Sequence, residues 1–259
     1  MAGSAQASTI AWTGTTSVLV GAFNLESNVG NDTLATGAGN VSYDIGTDTY
    51  TVMSNSGDTC YDNDNAGNAV QNFHALYKQV TGDFSIQAQV SGSVSGTDPL
   101  AKFGFFVINA NTDQTTPLAA WGEYVFQYTP LVLGGTIANF GLVPGPESWA
   151  LGTAYDNTEI EHNNLGVPLW LKMEKIGIEM NFFTSTDGVS WGDDLWTAQF
   201  RFTPTVYVGL LAVAHDGIQT ATGTFTGVTG SDAFVIPEPA TLALLAMGGV
   251  GLLLKRRRR

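Results

Sequence analysis

Between Thr9 and Ala233 no segment of helical periodicity reaches the length of a helix, while short β-rich runs recur with turn residues between them. That pattern restricts the chain to strands, because a half-buried strand alternates apolar and polar residues with a period of two and a helix does not. Leu169 to Lys175 shows it plainly: Leu169, Leu171 and Met173 fall on one face, Lys172 and Glu174 on the other. Such an alternation belongs to an antiparallel sheet with one solvated face. Nine runs are expected as strands: Thr49 to Met53, Phe73 to Val80, Phe84 to Val90, Phe103 to Ile108, Tyr124 to Tyr128, Leu169 to Lys175, Ile178 to Ser185, Val206 to Val213 and Gly223 to Val228. Gly177 turns one strand into the next. Asp187 and Gly188 supply a second tight turn, after which Trp191 folds back over the hairpin.

Composition agrees with this reading. Apolar residues make up 44% of the 259, so a core is available, while 31 glycines and only 13% charged residues suit β-structure rich in turns. Neither a repeat nor a linker divides the body, so residues 9–234 are expected to form one all-β, antiparallel β-sandwich domain.

Charge is distributed unevenly. Five of the ten basic residues are the last five, Lys255 to Arg259; the rest of the chain sets five cations against 23 acidic residues, a net −18. A body of that charge lacks the Lys and Arg clusters that neutralise phosphate, which excludes nucleic acid as a partner. The single cysteine, Cys60, forms no intramolecular disulfide, and its neighbours Asp58, Asp62 and Asp64 are the opposite of the basic setting that activates a thiolate.

Both ends read as targeting sequence. Ala240 to Leu254 is fifteen residues without a charge, followed at once by Lys255, Arg256, Arg257, Arg258 and Arg259. As a helix, 240–254 spans about 22 Å, short of the roughly 30 Å hydrocarbon core. Val235, Ile236 and a snorkelling Lys255 extend it to a single short transmembrane helix. The basic cluster holds the C-terminus in the cytoplasm and leaves the acidic body outside. Pro237, Glu238 and Pro239 precede it; two prolines enforce an extended stretch that presents the glutamate at the membrane boundary. At the other end, Ala5-Gln6-Ala7 has the form of a signal-peptidase site without a cationic, apolar leader before it, so residues 1–8 are expected to be the remnant of a signal-peptide cleavage region.

Pro237-Glu238-Pro239, a short apolar helix and the cluster Arg256, Arg257, Arg258 and Arg259, in that order over residues 235–259, resemble the PEP-CTERM sorting signal. The resemblance implies recognition and processing by an exosortase-like membrane peptidase, hence an exported envelope, outer-surface or extracellular protein that is transiently anchored in the inner membrane. Within the body, Ser185, Asp187, Gly188 and Trp191 in an S-x-D-G-x-x-W arrangement between strands, and the segment Asn72 to Val90 upstream, resemble the two halves of concanavalin A-like lectin/glucanase domains. That likeness implies a jelly-roll sandwich and no particular activity.

Candidates for chemistry are few. A glycoside hydrolase needs two carboxylates flanking the scissile bond. Glu159 and Glu161 occupy alternate positions and are the candidates, although Asn164 stands where the E-x-D-x-x-E pattern of laminarinase-like enzymes has a third acid, and the stretch is polar and loop-like. Asp58, Asp62 and Asp64 offer hard oxygen ligands for a structural Ca²⁺, against the simpler alternative of a hydrogen-bonded turn; Ala66 and Phe73 depart from an EF-hand loop. No other cofactor is indicated. His74, His162 and His215 form no metal motif and read as core or strand-end residues. Trp149, Tyr155 and Asp156, in a Pro/Gly-rich loop, are the candidate sugar contacts. The favoured expectation is a non-catalytic lectin-like module engaging extracellular polysaccharide. A secreted glycoside hydrolase and a ligand-free structural surface or matrix protein are the alternatives.

Overall fold

A computed structural model describes residues 12–29, 39–55, 62–63, 69–70, 73–96, 101–109, 124–130, 137–143, 159–163, 168–192, 196–199, 202–214 and 219–234. These residues form seventeen strands: β1 (Trp12–Val20), β2 (Phe23–Val29), β3 (Asn40–Asp44), β4 (Thr49–Ser54), β5 (Asp62–Asn63), β6 (Ala69–Val70), β7 (Phe73–Thr81), β8 (Phe84–Val94), β9 (Lys102–Asn109), β10 (Tyr124–Pro130), β11 (Ile137–Val143), β12 (Glu159–Asn163), β13 (Leu169–Ile176), β14 (Glu179–Ser185), β15 (Trp196–Gln199), β16 (Thr205–Val213) and β17 (Ala221–Gly230). Eight of the nine expected runs lie wholly on strands, and the ninth, Ile178 to Ser185, does so from Glu179, Ile178 being in the turn before β14.

Two large sheets result. One has eight strands in the order β1-β2-β7-β16-β9-β10-β11-β12, the other seven in the order β15-β14-β13-β8-β17-β4-β3, and β5 and β6 make a separate two-stranded ladder. Every described pairing is antiparallel. β7 and β8 are consecutive yet lie in different sheets, as are β16 and β17, so the chain crosses repeatedly between the layers as a jelly-roll sandwich does.

The core lies between the layers and follows the period of two. From the seven-stranded sheet come Phe84, Ile86, Ala88 and Val90 of β8, Leu169, Leu171 and Met173 of β13, and Phe225 of β17. From the eight-stranded sheet come Leu76 and Val80 of β7, Phe103, Phe105 and Val107 of β9, and Val206, Val208 and Leu210 of β16. Each fully buried side chain of this kind contributes roughly 1.5–3 kcal/mol through loss of apolar surface to water. The polar partners of Leu169, Leu171 and Met173 are placed as the alternation requires: Lys172 and Glu174 form an ion pair at 2.6 Å on the outer face. Lys172 Nζ also stands 4.8 Å from the Phe183 ring and 5.5 Å from the Trp191 ring, so Trp191 does fold back over the β13–β14 hairpin.

Asp187 and Gly188 do make the turn before Trp191, each in its own way. Gly188 takes φ +73°, whereas Asp187 does not take a positive φ. Its carboxylate instead accepts the backbone N–H groups of Val189 (2.8 Å) and Ser190 (2.7 Å) and the hydroxyls of Ser185 (2.8 Å) and Ser190 (2.9 Å). These charge-assisted bonds hold the Asp187 carboxyl far below the usual carboxylate range, first through Ser190 N–H, then Val189 N–H.

Residues 1–8 and the tail 235–259, with the expected helix 240–254, lie outside the described residues. Among the described residues no helix is long and apolar enough to cross a membrane. The last described segment is a short 3-10 turn, Asp232–Phe234, whose Phe234 is buried against Phe23 and Phe84 with ring centroids at 5.9 and 6.3 Å. The Lys78 ammonium donates to the Ala233 carbonyl and lies 5.8 Å from the Phe234 ring. Burial lowers the pKa of that ammonium.

Candidate functional site

The three central strands of the eight-stranded sheet, β7, β16 and β9, carry apolar residues on both faces. Their core-facing positions are given above, so the remaining alternate positions form the outer face. These are Phe73, Ala75, Tyr77 and Gln79 on β7; Tyr207, Gly209 and Leu211 on β16; Phe106 and Ile108 on β9. In register, Tyr77 pairs with Gly209 and Gly209 with Phe106, while Gln79 pairs with Tyr207 and Tyr207 with Ile108.

Gly209 is what lets the aromatic rings close over this face. A Cβ there would stand 2.5 Å from Tyr77 Cβ and 2.8 Å from Phe106 Cε1, closer than real carbons approach. With no side chain between them, Tyr77 and Phe106 meet at 6.0 Å between centroids, Phe106 meets Phe73 at 5.5 Å, and Tyr77 meets Tyr207 edge-on at 5.3 Å. Edge-to-face pairs of this kind add about 0.5–1.5 kcal/mol each beyond area burial.

The strip is graded from dry to wet. Phe73, Ala75, Tyr77, Phe106 and Leu211 are buried, Tyr207 is half-buried and Gln79 is exposed. Polar groups accompany the rings: Tyr77 Oη and Ser27 Oγ are 2.8 Å apart, Gln79 Nε2 donates to Tyr207 Oη at 3.3 Å, and Thr81 and Thr205 join their hydroxyls at 2.9 Å on the exposed margin. Among the described side chains of β7, β9 and β16 on this face none is a carboxylate. At the wet end the half-buried Tyr207 ring, backed by the buried Tyr77, together with the Gln79 amide and the Thr81 and Thr205 hydroxyls suits a neutral, hydroxyl-rich ligand, which stacks a C–H face on the one accessible ring and exchanges hydrogen bonds with the rim.

The residues singled out from the sequence lie elsewhere. Glu159 and Glu161 are on β12, at the edge of this same sheet, paired with Gly141 and Asn139 of β11. The loop-like reading of that stretch is thereby corrected: its polar composition is that of an edge strand, which is free of the demand for two apolar faces. Asp62 is on β5, paired with Val70. Asp58, Asp64, Trp149, Tyr155 and Asp156 lie outside the described residues, as do the sorting-motif residues Pro237, Glu238, Pro239, Arg256, Arg257, Arg258 and Arg259. Among the described residues no three His, Cys, Asp or Glu side chains come together as a metal site would require. His74 is a buried residue at the start of β7, its Nε2 3.0 Å from Glu26 Oε1, in keeping with the core histidine expected.

Sequence reasoning misses Tyr77, Gln79 and Tyr207. Their signal is present but weak: polar-tipped residues at alternate positions of strands that carry apolar residues on both faces.

A family model for the PEP-CTERM protein-sorting motif matches residues 235–259, a span that takes in Pro237, Glu238, Pro239 and the cluster Arg256, Arg257, Arg258 and Arg259. The chain ends in a PEP-CTERM motif. The PEP-CTERM motif indicates an exported, exosortase-sorted protein of the cell envelope, and processing by exosortase, a membrane protein. No curated protein matches the chain by sequence. By structure it is similar to a functionally unknown protein from Saccharomyces cerevisiae, 16% identical with a TM-score of 0.53, over 74% of this chain and 91% of that one. A legume lectin-like domain from Entamoeba histolytica (8% identical, TM-score 0.44, 74% and 87% covered) and the alginate lyase AlyC3 (10% identical, TM-score 0.45, 74% and 77% covered) are also similar. At these identities the likeness concerns the fold alone, and neither of the weaker two bears on activity.

Proposed function

We propose that this PEP-CTERM protein presents a non-catalytic, lectin-like module at the cell surface and that the module binds extracellular polysaccharide. The observation that carries the reading is the aromatic-amide strip on the outer face of the eight-stranded sheet, where Tyr207 and Gln79 stand at the accessible end of the Tyr77–Phe106–Phe73 cluster. The lack of carboxylates among the described side chains of its three strands favours binding over bond cleavage, since glycoside hydrolysis requires two such groups. With a body of net −18 the strip suits a neutral glycan, since an acidic one would be repelled. Before processing, the apolar run 240–254 holds the protein in the inner membrane with its basic end in the cytoplasm.

The test is a glycan array followed by a reducing-sugar assay on the intact chain, with and without Ca²⁺, the latter because Asp58, Asp62 and Asp64 are candidate ligands of a structural ion. Retention of polysaccharide without release of sugar is expected, and its loss in Tyr207→Ala. The secreted hydrolase is the second reading, favoured by the placement of Glu159 and Glu161 two residues apart on one strand of the same sheet. Sugar release abolished by Glu159→Gln or Glu161→Gln would replace the first reading with it. No binding and no release would leave a structural surface protein.

A further inference from the structure

Among the described residues four large hydrophobic side chains are exposed: Ile45 (73%), Ile176 (56%), Ile178 (56%) and Val189 (81%). Isolated exposed apolar residues are ordinary, but three of these four share one end of the molecule. β17 runs towards that end: its Gly230 pairs with Ile86, and Ser231 N–H donates to the Ser85 carbonyl at 3.1 Å. Lys175, the neighbour of Ile176, pairs with Phe84 at the same level, so the β13–β14 turn carrying Ile176 and Ile178 lies there. Thr49 pairs with Thr226, and Gly227 N–H donates to the Asp48 carbonyl, which brings the β3–β4 turn with Ile45 to that end as well. Val189 follows Ser185, which pairs with Trp170 at the opposite end of the hairpin.

The sheet order puts the exit of the chain between the two apolar turns. β17 lies one strand from β4 on one side and two strands from β13 on the other. At 4.7–4.9 Å per strand the two turns stand roughly 20 Å apart. The tether beyond the exit is short. Phe234 is fixed in the core, and Ala240 begins the apolar run, so even fully extended backbone covers only about 20 Å between them. A tail seated in a bilayer therefore holds this end of the sandwich against the bilayer surface.

Each turn has one donor already satisfied within the protein: Gly177 N–H donates to Asp83 Oδ1 at 2.7 Å and Gly46 N–H to Asp44 Oδ1 at 2.8 Å, while the isoleucines are exposed. The same carboxylates, with Asp48 and Glu179 nearby, make an anionic surface an unfavourable partner. We propose that the end of the sandwich bearing Ile45, Ile176 and Ile178 is a membrane-contacting surface that rests in the interface of a zwitterionic bilayer while the tail is inserted. The proposal rests on the anchoring of 240–254 given above.

The experiment uses the full chain with Cys60→Ser in phosphatidylcholine vesicles. A polarity-sensitive fluorophore is placed on Ile45→Cys, Ile178→Cys, Val189→Cys or Leu245→Cys in turn, and a lipid-borne nitroxide serves as quencher. Several-fold quenching is expected at 245, 178 and 45 and none at 189, with less at 45 and 178 when phosphatidylglycerol is added. Quenching at 245 with 45 and 178 as bright as 189 would overturn this proposal alone. A label at 245 that escapes quenching would overturn the anchoring, and this proposal with it.

Discussion

Gln79 donates its side-chain amide to the Tyr207 hydroxyl at 3.3 Å across the β7–β16 pair, at the accessible end of an aromatic strip whose other end is dry. Both residues are solvent-accessible and neither belongs to the core, so the proposed function predicts that their loss weakens polysaccharide binding while the fold is kept. Tyr207→Ala and Gln79→Ala are expected to retard less in polysaccharide affinity gels than the parent chain, the tyrosine having the larger effect because it removes a stacking surface. Read from urea midpoints, Gln79→Ala should stay within about 0.5 kcal/mol of the parent, as exposed substitutions do, while Tyr207→Ala should lose about 0.5–1.5 kcal/mol with its edge-on contact to Tyr77. Tyr207→Phe keeps the ring and should keep most of the retardation.

At the opposite sheet, Gly188 is required twice over. Its φ of +73° disfavours any side chain, and a Cβ would stand 2.5 Å from Trp170 Cε2. Gly188→Ala is expected to destabilise by about 1–3 kcal/mol, combining backbone strain with overpacking. Gly177 also has a positive φ, of +60°, yet nothing lies within 4 Å of its Cβ position, so Gly177→Ala should cost only about 1 kcal/mol. Urea midpoints of the two variants, measured side by side, separate the steric part from the backbone part.

How much of this is legible beforehand follows from where the chain's demands are simple. Leu169 to Lys175 declares its two faces because one face is solvated and each polar residue there marks the register. β7, β9 and β16 declare themselves as strands but not their faces, since Phe103 and Phe106, or Leu210 and Leu211, are equally apolar and buried on opposite sides. The Tyr77–Phe106–Tyr207 strip is hidden for that reason, and Gly209 reads as a strand defect until its neighbours across the sheet are known. The edge strands β3, β12 and β15 are not declared because an edge needs little hydrophobicity; Glu159 to Asn163 has the composition of a loop. The tail is legible from composition alone, because an apolar run closed by Lys255 to Arg259 has no place in a soluble core.

Phe234 closes the body where the sorting motif begins, packed against Phe23 and Phe84 and capped by Lys78. Phe234→Ala removes one of the largest fully buried side chains and is expected to cost about 3–5 kcal/mol, read from the urea midpoint. Because the same ring fixes the start of the tether, the variant should also lengthen the reach of residues 235–259. Limited proteolysis between Ser231 and Pro237 is expected to be faster in the variant under conditions where the rest of the chain remains folded. Equal rates would show that the ring does not hold this segment.

Acid should act on the Asp187 turn in a definite direction. The carboxyl is depressed by the N–H groups of Ser190 and Val189 and by the Ser185 and Ser190 hydroxyls, so it stays ionised in the fold at pH values where the unfolded chain, near its ordinary pKa of about 3.9, has taken up a proton. A carboxylate lowered in the fold contributes stability that is fully present above the unfolded value and is lost as pH falls through the folded one. Asp187→Asn removes the charge and one strong acceptor, leaving an amide that titrates nowhere in this range. The parent should therefore be more stable than the variant at pH 6, and the gap should narrow steadily below about pH 4. Urea midpoints of both proteins at intervals from pH 6 down to pH 2 test this; a gap that stays constant would mean that the four bonds to Asp187 act through geometry and not through charge.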